Sequence, residues 1–251
     1  MKSIIVIPCF NEGQRFPVSE FREFLCKKQL HKFIFVDDGS IDNTLQILTS
    51  LNNNFPEKTE ILKLSENCGK AEAVRLGMLS ALSKKPDLVG FWDADLATPL
   101  TEINRFVAVF LSHPEIKWVF GSRVKLLGRQ IERNELRHYM GRIFATFVSL
   151  VLDLPIYDSQ CGAKMFRACA EYENLIAEKF KSKWIFDVEL IARLSKYSQK
   201  TEKCSPRTII YEVPLNTWID VKGSKLEMKD FFKATIDILQ IWNYMHRENQ
   251  F

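Results

Sequence analysis

Two aspartates one residue apart, Asp93 and Asp95, directly follow the apolar run at residues 88–92. Residues i and i+2 of an extended chain point to the same side, so both carboxylates can face one small volume. Like charges repel and desolvated carboxylates are costly, so a cation is expected between them. Oxygen ligands suit Mg²⁺ or Mn²⁺, which also bind phosphate oxygens. The pair therefore predicts a divalent metal site facing a phosphorylated ligand, although Asp-x-Asp alone is a common pattern.

Polar segments also follow three other apolar runs in the first half of the chain. They are residues 9–13 (CFNEG), 37–40 (DDGS) and 65–70 (SENCGK). A carboxylate such as Asp38 can accept hydrogen bonds from a nucleobase or a ribose hydroxyl. The N–H groups of a helix beginning near Gly69, together with the Lys70 ammonium, suit a diphosphate. Each segment alone fits an ordinary turn or helix cap, but the four together favour a nucleotide site.

The elements that must position these groups alternate along the chain. Apolar runs rich in β-branched residues predict strands at residues 3–8, 33–36, 60–64, 88–92 and 118–121. Helical spacing lies between them, at residues 44–51, 70–82 and 101–110. This alternation predicts an α/β fold with a mostly parallel sheet flanked by helices. Ligands of such sheets bind beyond the carboxyl ends of the strands, which is where the four polar segments fall.

The second half of the chain begins with a basic segment at residues 122–142. Six basic residues there are opposed by two acidic ones, Glu132 and Glu135. The basic residues are Arg123, Lys125, Arg129, Arg133, Arg137 and Arg142. The segment fits either an anionic acceptor or lipid headgroup, or a solvated helix face.

Two apolar segments follow. Residues 143–152 would form a helix of about 15 Å, against ~30 Å for a bilayer core, and are expected to be mostly core. Residues 229–246 predict an amphipathic helix that either packs on the domain or lies on a membrane surface. Its apolar face would consist of Phe231, Phe232, Ile238, Leu239, Trp242 and Met245. We expect a catalytic domain at residues 1–226 and a helical extension at residues 227–251.

The amino-acid composition limits the kind of protein further. The chain has 251 residues, 46% of them hydrophobic, which fits one large domain. A net charge of +4 is too small to indicate nucleic-acid binding by itself. None of the six cysteines forms a Cys-x-x-Cys pair, so they are interpreted as reduced thiols. The expected location is the cytoplasm, peripheral to the cytoplasmic face of a membrane.

In order and in combination, these segments resemble the signature series of the family 2 glycosyltransferases, which have the GT-A fold. The resemblance rests on residues 7–12 (IPCFNE), 36–40 (VDDGS), 69–75 (GKAEAVR) and 93–95 (DAD). Further segments are similar to the polyprenyl-phosphate branch, which includes the dolichyl-phosphate glucosyltransferases. They are residues 121–123 (GSR), 158–166 (DSQCGAKMF), 186–190 (FDVEL) and 223–226 (GSKL).

The resemblance implies roles for individual residues. Asp38 would recognise the base, uracil, and Asp93 and Asp95 would hold the nucleotide diphosphate through Mg²⁺ or Mn²⁺. The remaining nucleotide-binding residues would be Pro8, Asn11, Glu12, Gly69 and Lys70. The resemblance implies that Arg123 and Arg137 bind the acceptor phosphate, and Lys164 is a further candidate for that role. The candidates for catalysis are Asp95, Asp158 and Asp187, although Asp158 also fits a turn and Asp187 the first turn of a helix. No base is assigned, because a phosphate monoester acceptor is already anionic at neutral pH.

The implied activity is inverting transfer of glucose from UDP-glucose to a polyprenyl or dolichyl phosphate. Alternatives that stay open are a glycan acceptor in polysaccharide assembly, GDP-mannose as donor, and an inactive nucleotide-binding scaffold. The intact Asp38, Asp93, Asp95 and Arg123 argue against the scaffold. A nicotinamide oxidoreductase is disfavoured, because no Gly-x-Gly-x-x-Gly follows the first strand.

Overall fold

The computed structural model describes residues 1–132, 135–201, 205–221 and 228–246, with the backbone alone for residues 135–138, 228–235 and 246. The strands are β1 (Ser3–Cys9), β2 (His31–Asp37), β3 (Thr59–Lys63), β4 (Leu88–Trp92), β5 (Trp118–Ser122), β6 (Gln130–Glu132), β7 (Ala163–Arg167), β8 (Ile210–Pro214) and β9 (Thr217–Ile219). The helices are α1 (Val18–Cys26), α2 (Thr44–Asn54), α3 (Lys70–Leu82), α4 (Glu102–Ser112), α5 (Glu135–Leu152), α6 (Ala170–Ala177), α7 (Phe186–Thr201), α8 (Pro206–Ile209) and α9 (Met228–His246).

Within these residues, seven strands form one sheet in the order β3-β2-β1-β4-β7-β5-β8. Every neighbouring pair is parallel except the two that involve β7. Strands β6 and β9 form a separate parallel pair. The predicted α/β fold with a mostly parallel sheet is confirmed. Strand β4 and helix α3 begin and end at the predicted residues, and the other predicted elements differ by a few residues at their ends.

Strand β7 was not predicted, and it is the strand that joins the two parts of the sheet. Its sequence, AKMFR, places Lys164 in the middle of a short buried strand, and lysine is among the residues least often buried. Because β7 runs antiparallel, Ala163 at its amino end pairs with Trp92 at the carboxyl end of β4. Residues 158–162, which precede β7, therefore reach the same edge of the sheet as the Asp-x-Asp segment.

Alternation along the central strands divides the core between the two faces of the sheet. Ile4 and Val6 of β1 pack with α3, while Ile5 and Ile7 belong to the core on the opposite face. On that second face Phe21 of α1 makes edge-to-face contacts with Phe33 and Phe35 of β2. Each such buried aromatic ring contributes about 2–3 kcal/mol by leaving water. Burial on both faces holds the strand ends in place.

Helix α9 packs against α5 and α7, but its buried face differs from the predicted one. Ile238 and Ile241 are buried, whereas Leu239 and Trp242 are 61% and 47% exposed. The prediction was wrong in placing Leu239 and Trp242 with Ile238. The contact is a narrow stripe at i and i+3, with Met245 partly buried beside it. The side chains of Phe231 and Phe232 lie outside the described residues.

Helix α5 contains the apolar segment that was expected to be mostly core. Val148 and Leu152 are buried, but Ile143, Phe147 and Leu150 are 52%, 58% and 73% exposed. These three follow one another along a single face of the helix, so only the opposite face is core. Among the described residues, no helix is long and apolar enough to cross a membrane.

Some predictions fall outside the described residues. They concern the boundary at residue 226, the segment 223–226, Arg133, the Arg137 side chain and Cys204. The cysteines that the structure describes are free thiols, as expected: Cys9, Cys26, Cys68, Cys161 and Cys169.

Candidate active site

The predicted polar segments meet at one edge of the sheet. Strands β1, β2 and β4 are parallel neighbours and end there at Cys9, Asp37 and Trp92. The carboxyl end of β5, at Ser122, and the amino end of β7, at Ala163, complete the row. The topology therefore places the metal, nucleotide and acceptor candidates side by side.

Asp38 is buried, and its carboxylate is fixed by the chain that leads into α3. Its two oxygens accept hydrogen bonds from the backbone N–H groups of Cys68, at 2.7 Å, and Gly69, at 2.9 Å. The next residue, Gly39, has φ +65°, and an added Cβ would lie 2.5 Å from the carbonyl carbon of Glu66. Burial raises the pKa of Asp38, and the two backbone hydrogen bonds oppose that rise. The carboxylate is held as an oriented hydrogen-bond acceptor.

Two other residues that were predicted to bind the nucleoside, Asn11 and Glu12, connect the end of β1 to the segment after β2 through hydrogen bonds. The Asn11 N–H donates to Ser40 Oγ at 3.1 Å, and the Glu12 N–H donates to Thr44 Oγ1 at 2.7 Å. Asn11 has φ +51°, a left-handed conformation that asparagine tolerates better than most residues. Pro8 lies in β1 and is partly exposed. These contacts form one wall beside Asp38.

Asp93 and Asp95 occupy the middle of the edge. The Asp93 N–H donates to the Gly162 carbonyl at 3.0 Å, and Asp95 Oδ1 accepts from the Ala97 N–H at 3.1 Å. Burial, and then the Asp93 charge, raise the pKa of Asp95. A Cβ on Gly162 would lie 1.8 Å from Asp93 Oδ2, so only glycine leaves this carboxylate its place. The two carboxylates are close enough for the charge of Asp93 to affect the ionisation of Asp95.

A cation already contacts this pair. Lys70, the first residue of α3, places its Nζ 2.5 Å from Asp93 Oδ1. Burial disfavours the charged ammonium, but Asp93, Asp187 and Asp95 together outweigh burial, so the pKa of Lys70 is raised. Hard carboxylate oxygens that attract a cation fit Mg²⁺ or Mn²⁺. The described residues contain no group of three or more His, Cys, Asp or Glu side chains that could hold a metal ion, so a metal here would draw its other ligands from phosphate and water.

Arg123 and Asp158 form a two-pronged ion pair next to the metal candidates. Arg123 donates from Nε and Nη2 to the two Asp158 oxygens, at 2.7 Å each, and its backbone N–H donates to Asp158 Oδ2 at 3.0 Å. The guanidinium also lies 5.4 Å from the centre of the Trp218 ring. Paired hydrogen bonds of this kind are the strongest that arginine makes. Arg123, which was predicted to bind the acceptor phosphate, is thus held in position by Asp158, which was a candidate for catalysis.

Glu212 supports this pair from β8. Its carboxylate accepts hydrogen bonds from the backbone N–H groups of Tyr157 and Asp158, both at 2.8 Å. Burial raises the pKa of Glu212. Neither Glu212 nor Gly162 was singled out from the sequence. The signal for Glu212 was available, since it is the one acidic residue in the strand IYEVP.

Lys164 and Asp187 form a second ion pair, which lies deeper. Lys164 is 1% exposed, and its Nζ lies 2.9 Å from Asp187 Oδ1 and donates to the Cys161 carbonyl at 2.6 Å. The Phe91 and Phe120 rings lie 5.4 Å from the same ammonium. Burial raises the pKa of Asp187, and Lys164 opposes that rise. Lys164, predicted to bind the acceptor phosphate, has its charge neutralised inside the protein.

Comparison with known proteins gives a consistent family. Residues 4–172 match the family described as Glycosyl transferase family 2. A dolichyl-phosphate beta-glucosyltransferase of Dictyostelium discoideum is 31% identical over 89% of this chain and 68% of its own length. The enzyme of the same name from Saccharomyces cerevisiae is 30% identical over 94% of this chain and 73% of its own length.

A solved structure confirms the fold. Glucosyl-3-phosphoglycerate synthase from Mycobacterium tuberculosis, crystallised with Mn²⁺, UDP and glucosyl-3-phosphoglycerate, matches 97% of this chain and 79% of its own, with a TM-score of 0.66. The two sequences are 15% identical, so the likeness establishes the GT-A architecture and nothing finer.

Proposed function

The chain belongs to glycosyl transferase family 2 and is a glycosyltransferase, and we propose that it transfers glucose from UDP-glucose to a polyprenyl phosphate. The acceptor phosphate oxygen forms a bond to the anomeric carbon as the bond to UDP breaks, and UDP leaves with the bonding electrons. Attack from the face opposite UDP inverts the configuration. The observation that carries the proposal is the cluster of Asp38, Lys70, Asp93 and Asp95 at one edge of a GT-A sheet.

The nucleotide half of the reaction follows from that cluster. Asp38, fixed by Cys68 and Gly69, offers its remaining lone pairs to the uracil N–H. Lys70 lies where it can reach a diphosphate oxygen. Asp93 and Asp95 would hold Mg²⁺ or Mn²⁺, which supplies positive charge to the leaving diphosphate. The buried, fixed dipoles around it need little reorganisation during the reaction.

The acceptor half rests on Arg123. Its bonds to Asp158 use Nε and Nη2, and Nη1 would meet an incoming phosphate oxygen. Asp158 holds the guanidinium in one orientation, which lowers the entropic cost of positioning the acceptor. The phosphate needs no general base, since it is already anionic. Lys164 and Asp187 do not contact the acceptor in this proposal. They form a charge-balanced ion pair beneath the site and fix the shape of its floor.

Exposed apolar side chains support peripheral contact with the membrane that carries such an acceptor. Ile143, Phe147 and Leu150 form a stripe on α5. Helix α9, which packs against α5, exposes Leu239 and Trp242. Exposed apolar side chains on neighbouring helices can mediate interfacial binding. We propose that this contact is with the cytoplasmic face of that membrane.

UDP release tests donor and acceptor together. UDP-glucose and GDP-mannose are compared with Mn²⁺ or Mg²⁺, with and without a short polyprenyl phosphate. We expect release only with UDP-glucose and lipid together. UDP release that does not depend on lipid, or that a glycan stimulates instead, would contradict the lipid acceptor and favour a polysaccharide acceptor. Release from GDP-mannose alone would reassign the donor.

Vesicle sedimentation tests the membrane contact. Leu150→Ser removes the most exposed residue of the α5 stripe, and Leu111→Ser, at 64% exposure on α4, is the matched control. We expect the wild type and Leu111→Ser to bind anionic vesicles equally, with binding that fades as salt rises. Leu150→Ser should bind several-fold more weakly. Equal binding by both variants would contradict the assignment of this face.

A further inference from the structure

Lys70 forms an ion pair with Asp93, the carboxylate that the proposed metal would bind. Its ammonium lies 2.5 Å from Asp93 Oδ1, and the charge of Asp93 is the largest electrostatic attraction that acts on Lys70. A divalent ion bound to Asp93 would stand within a few ångströms of the ammonium, and two cations at that distance repel strongly. Lys70 and the metal therefore compete for one ligand.

We propose that Lys70 is an internal counter-ion that blocks metal binding in the nucleotide-free protein and releases Asp93 when a diphosphate arrives. The diphosphate gives the ammonium a second anionic partner, and Asp93 then becomes available to the metal. Metal and nucleotide binding are thereby coupled through one lysine. The inference rests on the proposed function, because the diphosphate is that of the nucleotide sugar.

The structure gives Lys70 the freedom that this role requires. Its side chain is 39% exposed, and it stands at the first position of α3, so its four-carbon stem can swing without disturbing the helix. The neighbouring Lys164 has no such freedom, since it is 1% exposed and held by Asp187 and the Cys161 carbonyl. Of these two lysines, only Lys70 can exchange partners.

Direct Mn²⁺ binding tests the proposal without catalysis. Titrations followed by electron paramagnetic resonance give the Mn²⁺ Kd of the wild type, Lys70→Met and Lys84→Met, each with and without UDP. Lys84 is the matched control, because its side chain is also 39% exposed and pairs with a surface carboxylate, Glu60, at 2.9 Å. Circular dichroism verifies that all three proteins are folded.

We expect UDP to tighten Mn²⁺ binding to the wild type and to Lys84→Met by more than tenfold. Without UDP, Lys70→Met should bind Mn²⁺ about tenfold more tightly than Lys84→Met, within the range typical of coupled sites. The effect of UDP on Mn²⁺ affinity should shrink in Lys70→Met by a similar factor.

Equal or weaker nucleotide-free Mn²⁺ affinity in Lys70→Met, relative to Lys84→Met, overturns the inference. That comparison contains neither donor nor acceptor, so it is decided independently of the proposed reaction. If GDP and not UDP binds, the proposed donor fails, and the same coupling is then measured with GDP. The two failures are therefore distinguishable.

Discussion

The two halves of the site hold their carboxylates by different means. In the nucleotide half, between β1 and α4, Asp38 and Asp95 accept hydrogen bonds from backbone N–H groups, and the ion pair of Asp93 with Lys70 is partly exposed. In the acceptor half, from β5 onward, Asp158 and Asp187 are matched by buried cationic side chains, Arg123 and Lys164. The first arrangement leaves negative charge available for a ligand, whereas the second cancels it within the protein.

This difference separates function from stability. A carboxylate held by the backbone can lose its charge without leaving a buried partner unpaired. A carboxylate in a buried ion pair cannot, because the remaining charge is desolvated and uncompensated. Substitutions in the nucleotide half should therefore reduce activity, and substitutions in the acceptor half should also reduce the free energy of unfolding.

The largest effect is expected for Asp95→Asn. Loss of a metal-binding charge at the leaving group should lower kcat about thousandfold, which corresponds to about 4 kcal/mol of transition-state stabilisation. The free energy of unfolding should change by less than about 0.5 kcal/mol, since burial already disfavours the ionised form of Asp95. Steady-state kinetics and urea denaturation measure both, with Asp153→Asn, at a highly exposed position, as the control. Activity near that of the control would remove Asp95 from the site.

Arg123→Ala should reduce the free energy of unfolding as well as the activity. The Arg123 and Asp158 side chains are 14% and 10% exposed, and removing one partner of such a pair costs about 3 kcal/mol of unfolding free energy. The double variant Arg123→Ala, Asp158→Asn should recover part of that loss, because no uncompensated carboxylate remains. Urea denaturation of the single and double variants measures the coupling. Strictly additive losses would mean that the ion pair does not stabilise the fold.

Gly162→Ala tests the point at which the two halves touch. The added Cβ would lie 1.8 Å from Asp93 Oδ2, so the carboxylate must move. We expect Mn²⁺ affinity in the presence of UDP to fall about tenfold, with a smaller change in unfolding free energy. Gly128→Ala is the control for the substitution, because an added Cβ there meets open space, although its φ of +79° adds backbone strain. Unchanged Mn²⁺ affinity in Gly162→Ala would separate Asp93 from the metal.

The smallest effect concerns pH. Burial raises the pKa of Glu212 in the folded protein above its ordinary value of 4.5, so the native state holds a proton there that the unfolded chain has lost. Between those two pKa values, the contribution of Glu212 to stability grows as pH falls and is lost as pH rises. The stability advantage of the wild type over Glu212→Gln should therefore be larger at pH 5 than at pH 7. An advantage that is larger at pH 7 would contradict the raised pKa.

The same contrast explains what could be predicted. The segments around Asp38 and Asp93 are contiguous, and their strands and turns follow from local patterns, so the sequence predicted that edge of the sheet correctly. The Arg123–Asp158 and Lys164–Asp187 pairs join residues 35 and 23 positions apart, and no local pattern reports which cation meets which carboxylate. Strand β7 was not predicted because its buried lysine is compensated by tertiary contacts, above all the ion pair with Asp187.

The amphipathic helix shows a related limit. Periodicity predicted that α9 exists and where it lies, but its buried stripe depends on the shape of α5 and α7. Ile241 replaced Leu239 and Trp242 in that stripe. A broad apolar face can be buried in more than one way, and the packing partner decides which part of it is buried.

The position of β7 in the sheet also constrains how the chain folds during synthesis. Strands β1 to β4 can assemble among themselves, but within the described residues β5 pairs with β7 and β8, which emerge about 40 and 90 residues later. Until then β4 and β5, both buried along their whole length in the folded protein, present unpaired apolar edges. Such edges recruit other chains. We therefore expect a nascent or truncated chain that ends before Ala163 to be prone to aggregate, because the sheet is complete only when β7 is inserted.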